Sequence, residues 1–538
     1  MNHPQIPLFL TTAISYVNGE PHVGHALELL IADAYVRHQR QRGRLVRFTG
    51  GTDDHSLKNL RAAEALGIAP LEYVRRQGER FEQLPRALGV ELDDYLHTSS
   101  DARHAPAVLA LWERCRATGD LYQREYWGLY CNGCEAFISE TELVRGGCAV
   151  HREPLERISE TNWFFRLSRY EGKLLTLLQS GSLAVEPRER HNEVVSFVRQ
   201  GLRDFSVSRS RARARGFGLG VPGDDSQVIY VWFDALANYL SLLGFPEEGS
   251  GLARYWSEAP AAREHLIGKD ILRFHAVYWP ALLLSAGLPL PTCIKTHGYV
   301  TRDGVKIGKS LGNGVDPFEL VARFGIEAVR FYFLRHLHTT KDSDLRVERL
   351  IEAHDSELAG KLGNLLQRTA SLAARHPELV SVKACTAPSD ADTELAQAAR
   401  HALSGVAQAV DDFALQQAVA SILELVAAAN RYADAQEPWT LSRKVRTVST
   451  PRAAAELQVQ LGHVLWHLFE SLRVTAVLLA PFLPGTASTI ATRLGVPPSE
   501  LLTLERARFG LRQRYRPRGG GPLFPRLGTA VSPLTAPL

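Results

Sequence analysis

Two imidazoles three residues apart, His22 and His25, flank Gly24 in the run His22-Val23-Gly24-His25. A second run, Lys306-Ile307-Gly308-Lys309-Ser310, holds two ammonium groups in a glycine-containing loop. Histidines where a loop enters a helix put ring donors beside the helix's positive end, and a glycine between them lets a base or phosphate approach the backbone. Lysines on a pliant loop can follow phosphates through an in-line displacement and stabilise charge developing on pyrophosphate. Paired histidines also serve structural and metal-binding roles, so the first run alone leaves the chemistry open. With the second run, a nucleotide triphosphate is indicated. A P-loop ends in a similar Gly-Lys-Ser, but position 303 is Asp where that pattern requires glycine. Gly216-Phe217-Gly218 fails as a dinucleotide fingerprint because position 221 is Val.

A different chemistry is carried by Cys131-x-x-Cys134, thirteen residues, and then Cys148-x-x-His151. Two tight ligand pairs suit a tetrahedral zinc ion, and four protein ligands leave no open position, so the metal would be structural.

The elements that must position these residues follow from periodicity. Leu8 to Ile14 reads as a buried strand, Asn18-Gly19 as a turn, and His25 to Arg42 as a helix ending near Gly43. Leu45 to Phe48 leads into Gly50-Gly51-Thr52-Asp53-Asp54, which predicts a glycine turn with carboxylates at a strand's C-terminal end. Open α/β sheets bind ligands at that end. The pattern is irregular from about Asp120 to Gly216, then strand-like Val228 to Trp232 and helical Asp234 to Leu243 resume the alternation. An insertion therefore divides an α/β domain. On the resumed helix Trp232, Ala235 and Tyr239 share one face, the kind of stripe that is ordinarily core. Beyond about Glu327 long amphipathic stretches dominate (Ile351 to Ala374, Asp392 to Val410, Gln416 to Ala433, Ala453 to Leu479), predicting a helical bundle. From Arg512 the tail is basic and then Gly/Pro-rich.

A chain of 538 residues exceeds what one core organises, so two or three domains are expected. No apolar run is long enough to span a bilayer, and Met1 to Leu10 lacks a basic region and a cleavage site, so a cytoplasmic location is expected. Six cysteines are too few for a disulfide scaffold. The net charge of +4 accords with a polyanionic partner without requiring one. The sole methionine is Met1, for which the sequence offers no physical reason.

Together and in this order, the two basic runs resemble the HIGH and KMSKS signatures of class I aminoacyl-tRNA synthetases. The likeness covers nearly the whole chain and is strongest to the methionyl-tRNA synthetase family, through Asn192-Glu193-Val194 to Ser208-Arg209, Tyr230 to Ser241, His265 to Pro280 and Ser310 to Pro317. It implies a Rossmann-like α/β class I catalytic domain with a zinc-knuckle insertion, followed by an all-α anticodon-binding bundle. The implied reaction joins L-methionine to ATP, with Mg²⁺, as methionyl adenylate, then passes methionine to the 3′ end of tRNA(Met). The implied division is 1–118 and 228–326 for the catalytic halves, 119–227 for the insertion (knuckle about 119–160), 327–380 for linking helices, 381–505 for the anticodon domain and 506–538 for the tail. The dimerising C-terminal module of some relatives has no counterpart, which implies a monomer.

By the same resemblance His22, His25, Asp53, Lys306 and Lys309 are the catalytic groups. ATP would meet His22, Gly24, His25, Gly268, Asp270 and Lys309. Asp53 and Arg209 would hold the amino-acid end of methionine, the carboxylate binding its ammonium. Ile14, Tyr16, Trp232, Ala235, Tyr239, Phe274 and His275 match the family's methionine pocket, and an aromatic slot suits a polarizable thioether. Cys131, Cys134, Cys148 and His151 would ligate one Zn²⁺. Asn364, Arg368 and Trp439 match the anticodon-reading positions, where Trp can stack on an unpaired base and Asn with Arg can bond base edges. The pattern departs at Ile307 and Gly308, where Met and Ser are usual, at Asp54 and Ser56, where Glu and Gly are common, and at Ser15, where some relatives have Pro. Two other readings are a paralogue charging a carrier other than tRNA, against which Asn364, Arg368 and Trp439 argue, and an inactive RNA-binding protein, against which His22, His25, Asp53 and Lys309 argue.

Overall fold

Five consecutive buried residues, Leu8–Thr12, form the central strand β1 of a parallel sheet. Burial on both faces is why the strand reads as a continuous apolar run. The computed structural model describes residues 6–131, 136–138, 143–144, 147–148, 155–247, 249–257, 260–307, 314–376, 381–382 and 388–528. The remaining strands of this sheet are β2 (Ser15–Tyr16), β3 (Val46–Asp53), β4 (Asp94–His97), β5 (Ala184–Glu186), β6 (Ala262–Gly268) and β7 (Cys293–His297). Their order is β5-β7-β6-β1-β3-β2, with β4 also paired to β3, and every pairing is parallel. Since β3 lies on one side of β1 and β6 on the other, successive connections leave β1 in opposite directions. The crevice beyond its carboxyl end is the place where such sheets take ligands.

The chain divides into two units, Met1–Glu28 with Val46–His297 and Leu29–Leu45 with Gly298–Leu538. In the first unit Trp112, Phe233, Tyr239, Trp256 and Trp279 share one core with Phe9 and Ile294. Leu174, Leu183 and Val198 join that core, and β5 pairs with β7. The stretch 119–227 therefore supplies an edge strand and core side chains to the sheet as well as its own antiparallel ribbon, Leu121–Cys131 against Glu156–Phe165.

Two local expectations are corrected. Gly50 and Gly51 lie inside β3 and do not make a turn. A Cβ on Gly51 would stand 2.4 Å from the carbonyl oxygen of Leu96, so glycine there permits close approach of β4. The strand expected over Val228 to Trp232 ends at Ile229, because Tyr230 starts the helix Val231–Leu236, and Trp232 is helical.

The second unit is helical. Its long helices are Asp390–Asp411, Leu415–Gln436 and Pro451–Leu479, close to the spans read from periodicity. Val347–Ala353 and Asn364–Ala374 flank a π-helical stretch, His354–Gly363, so the predicted helix from Ile351 holds with a locally widened turn. The buried guanidinium of Arg330 is met by Asp33 at 2.6 Å and donates to the Phe482 carbonyl at 2.8 Å. The basic tail is anchored: the buried Glu470–Arg473 pair accepts from Gly510 N–H and donates to the Arg508 carbonyl, and Asp355 accepts from Leu527 N–H. Among the described residues no helix is long and apolar enough to cross a membrane.

Gly51→Ala is expected to lose about 1–3 kcal/mol of stability in urea unfolding, because backbone cannot yield as a side chain would. Unchanged stability would show that β3 and β4 separate freely.

Candidate active site

The helix Val23–Gln41 begins two residues earlier than the apolar spacing predicts, so Gly24 and His25 lie in its first turn. The His22 carbonyl starts the helix by accepting from His25 and Ala26 N–H groups. His25 Nδ1 accepts from His22 N–H at 3.0 Å, and His22 Nδ1 accepts from Gly24 N–H at 3.1 Å. A ring nitrogen that accepts carries no proton, so in both imidazoles the proton is on Nε2. The rings stack, centroids 3.9 Å apart, and His25 also meets the edge of Phe81. A Cβ on Gly24 would lie 2.8 Å from Cε1 of His22. The glycine is thus required by the stacked pair, and the backbone prepares two Nε2–H donors at a positive helix end, a combination suited to phosphate oxygens.

Other candidates stand at the carboxyl ends of neighbouring strands. Asp53 ends β3 and is buried; Gly268 ends β6, with Asp270 exposed just beyond. A Cβ on Gly268 would press on Asp270 Oδ1 at 2.8 Å, which makes the pair a small cradle with a carboxylate able to accept from ribose hydroxyls. His297 ends β7, and its Nε2 is 2.9 Å from Glu28 Oε2, while Glu28 Oε1 accepts from Ala13 N–H at 3.1 Å. This tie between helix and two strand ends was not legible in the sequence, where neither residue belongs to a motif.

The acidic loop after β3 is held from several sides. Asn59 donates to the carbonyls of Asp53 and Asp54, and Asp54 accepts from Ser99. Ser56, a departure from the family pattern, caps the helix Leu57–Ala65 by accepting from Asn59 N–H at 3.2 Å. Its backbone is extended, so nothing there requires glycine. His55 Nδ1 meets Asp234 Oδ2 at 2.8 Å, and His104 Nε2 meets Asp234 Oδ1 at 3.0 Å. Burial alone would push the Asp234 carboxyl up, but the two imidazoles outweigh it and hold the group well below the usual carboxylate range. Burial would likewise depress His55; the charge and hydrogen bond of Asp234, with the charge of Asp54, raise it instead.

Asp234 sits on the helix that presents Trp232, Ala235 and, after a short break, Tyr239. Trp232 stacks flat on Phe274 with centroids 3.8 Å apart and takes Tyr16 against its edge. Tyr239 donates its hydroxyl to His275 Nε2 at 2.7 Å, and His275 Nδ1–H donates to the Ile271 carbonyl at 3.0 Å. Burial lowers His275 from 6.5 to about 4, against the smaller opposing effect of that carbonyl. The ring is neutral near pH 7, which leaves an uncharged aromatic slot. Ile14 packs within reach of Gly51. Arg209 is buried, lies over the Tyr230 ring at 4.2 Å and donates to the Ser208 carbonyl at 3.0 Å.

Of the knuckle residues, Cys131 ends its long strand and Cys148 closes the hairpin Leu143–Val144 with Gly147–Cys148; both are buried, and Cys134 and His151 lie outside the described residues. In the second unit Asp303 and Gly304, both at positive φ, turn the hairpin that carries Lys306, whose ammonium rests 3.8 Å over the Tyr299 ring. Gly308, Lys309 and Ser310 lie outside the described residues. Asn364 and Arg368 are exposed one turn apart, and Arg368 lies 4.2 Å over the ring of Trp439. Those three candidates are thus brought together on one face.

The model of tRNA synthetases class I (M) matches residues 8–154 and 139–370, and that of the anticodon binding domain of methionyl tRNA ligase matches 382–506. The chain is 41% identical over 493 residues to the methionine–tRNA ligase of Brucella suis biovar 1, covering 91% of this chain and 92% of that one. It is 40% identical to that of a Nostoc species, covering 92% and 91%. A solved Mycobacterium tuberculosis methionyl-tRNA synthetase in complex with methionyl-adenylate superposes with a TM-score of 0.89 at 37% identity, covering 97% of this chain and 100% of that one. The apo form of that protein superposes at 0.82 and 34% identity, covering 98% and 99%.

His275 generates a pH prediction. The folded ring loses its proton near 4 and the unfolded one near 6.5, so its contribution is whole above 6.5 and is lost as pH falls towards 4, up to about 3 kcal/mol. His275→Gln should flatten that part of the stability curve measured by denaturant unfolding; an unaltered slope would refute the neutral assignment.

Proposed function

The chain belongs to the class I tRNA synthetases of the methionyl family, and from that premise we propose the residue-level course of its reaction. It activates methionine with ATP and charges tRNA(Met). The single observation that carries the assignment of roles is the His22–Gly24–His25 turn, with two backbone-oriented Nε2–H donors at the start of the helix Val23–Gln41.

Methionine enters with its side chain among Ile14, Tyr16, Trp232, Ala235, Tyr239, Phe274 and His275, and Asp53 and Arg209 hold its amino-acid end, the Asp53 carboxylate binding the ammonium. ATP lies with its ribose at Gly268 and Asp270 and its phosphates at His22, Gly24 and His25. The methionine carboxylate oxygen attacks the α-phosphorus, the bond to the bridging oxygen breaks, and pyrophosphate leaves with the electron pair. His22 and His25 donate to phosphate oxygens whose charge grows, and Lys306 and Lys309 neutralise the departing pyrophosphate. Mg²⁺, which accompanies ATP in this family, would supply further positive charge to the phosphates when bound. A ribose hydroxyl at the tRNA 3′ end then attacks the carbonyl of the mixed anhydride, releasing AMP. Asn364, Arg368 and Trp439 read the anticodon.

A structural Zn²⁺ would be held by Cys131, Cys134, Cys148 and His151. Two buried thiols, each at the end of its strand, fit a closed thiolate-rich site, and the residues concerned would orient the ribbon and take no part in the chemistry. The division at 118/119, 227/228, 326/327, 380/381 and 505/506 and a cytoplasmic location complete the reading.

Pyrophosphate exchange tried across amino acids, followed by charging of tRNA transcripts with altered anticodons, tests the reading as a whole; exchange with methionine and charging of CAU transcripts are expected. Lys309→Ala should slow exchange by on the order of 3 kcal/mol in the barrier, with little change in ATP affinity; equal losses in both would contradict its role. Trp439→Ala should form adenylate normally and charge tRNA poorly, and normal charging would remove it from the anticodon face. Mercurial modification of the thiols should release about one zinc per chain, detected with a chromogenic chelator; no release would sink the knuckle.

A further inference from the structure

Three helices of the second unit converge on one buried carboxylate, that of Asp392. Asp392 lies in the first turn of Asp390–Asp411, Tyr432 on Leu415–Gln436, and His463 with His467 on Pro451–Leu479. The two histidines are four residues apart, on one face of their helix. His463 Nε2 lies 2.9 Å from Asp392 Oδ2, and His467 Nε2 lies 3.5 Å from Asp392 Oδ1. One ligand atom from each of the three lies within 4.8 Å of the others. Ligand atoms about 2.0–2.1 Å from a tetrahedral ion stand about 3.3 Å apart, between the two separations observed.

Hydrogen bonding explains part of this cluster and leaves one contact unexplained. Asp392 accepts from Ser389 N–H and Oγ–H in a capping box and from the Tyr432 hydroxyl at 2.7 Å. His463 can donate to it. His467 differs, because its Nδ1 is 3.0 Å from the His463 carbonyl, which can only accept. The ring proton therefore sits on Nδ1, and in the neutral ring Nε2 turns a lone pair towards a carboxylate oxygen. Two electron-rich atoms face each other, an arrangement that a cation between them resolves. A histidine whose second nitrogen donates to a carbonyl is also the usual orientation of a metal ligand. The Nδ1 of His463 has no hydrogen-bond partner, so no bond on that side opposes moving its proton there and freeing Nε2.

We propose that Asp392, His463 and His467 form a second metal site, separate from the cysteine knuckle, that takes a divalent transition ion and pins the three helices. Two imidazoles and one carboxylate suit Zn²⁺, Co²⁺ or Ni²⁺ and disfavour Mg²⁺ and Ca²⁺, which take oxygen. Three protein ligands leave a position for water, which the Tyr432 hydroxyl can bond. The role is structural and independent of the synthetase chemistry.

The test titrates Co²⁺ into the full chain, its knuckle loaded with zinc, and reads bound metal, visible absorption and melting temperature. Wild type is expected to take up about one Co²⁺ more than the His463→Gln, His467→Gln double variant, with tetrahedral d–d bands, no thiolate charge-transfer absorption, and a metal-dependent rise in melting temperature that the variant lacks. Equal uptake by the two proteins, or cobalt bands only of the thiolate type, would overturn the site. Should the double variant fail to fold, the wild-type spectrum and His467→Asn alone decide the matter by the same two outcomes.

Discussion

Asp234 is the constraint around which the catalytic unit is arranged. A carboxylate that is almost fully buried can remain ionised only if its partners are buried with it, and here the partners come from the acidic loop (His55) and from the helix His104–Ala117. His104 in turn meets Ser241 at 3.0 Å, on the short helix that carries Tyr239. One charge therefore fixes the distance between Asp53, two residues before His55, and Trp232, two residues before Asp234. The acidic loop and the aromatic slot proposed to receive the two ends of one small substrate are tied to the same group.

Histidines in this protein are tuned by what surrounds them and not by their type. His265, met by the Thr11 hydroxyl and by the Trp279 indole, is held well below its ordinary range by burial and by nearby His275. Both behave as polar members of the core beside an apolar pocket. His55 is pulled the other way by Asp234. At the helix start, backbone N–H groups select the tautomer of His22 and His25. Geometry thus fixes which ring nitrogen of each histidine is left to face outward from the helix start.

Features carried by local pattern were legible. The strand at Leu8, the helix ending near Gly43, the amphipathic helices beyond Glu327 and the two basic runs each depend on neighbours in sequence, and chain order preserves that information. What depended on distant partners was not. Gly50-Gly51 looks like a turn until β4 is seen to need the room, and Ala184–Glu186 is too short to announce itself as the sheet's edge. Glu28 with His297, and His55 with Asp234 and His104, are ordinary residues whose meaning comes from pairing across 130 to 269 positions. The Asp390–Asp411 helix likewise revealed its span but not that its first turn meets two histidines from another helix.

The guanidinium of Arg368 already covers the face of Trp439, and Asp434 stands 3.8 Å from it. On the proposed anticodon role of Trp439, a nucleobase reaching that ring finds it occupied, so docking is an exchange and not an addition. Each incoming base must replace a cation–π contact that in exposed settings is worth about 0.5–1 kcal/mol. A base that stacks weakly would gain little from the swap, while one that also offers Arg368 an acceptor edge would keep the guanidinium engaged after it moves aside. Competition from the protein's own side chain thus acts as a threshold, set before any nucleic acid arrives.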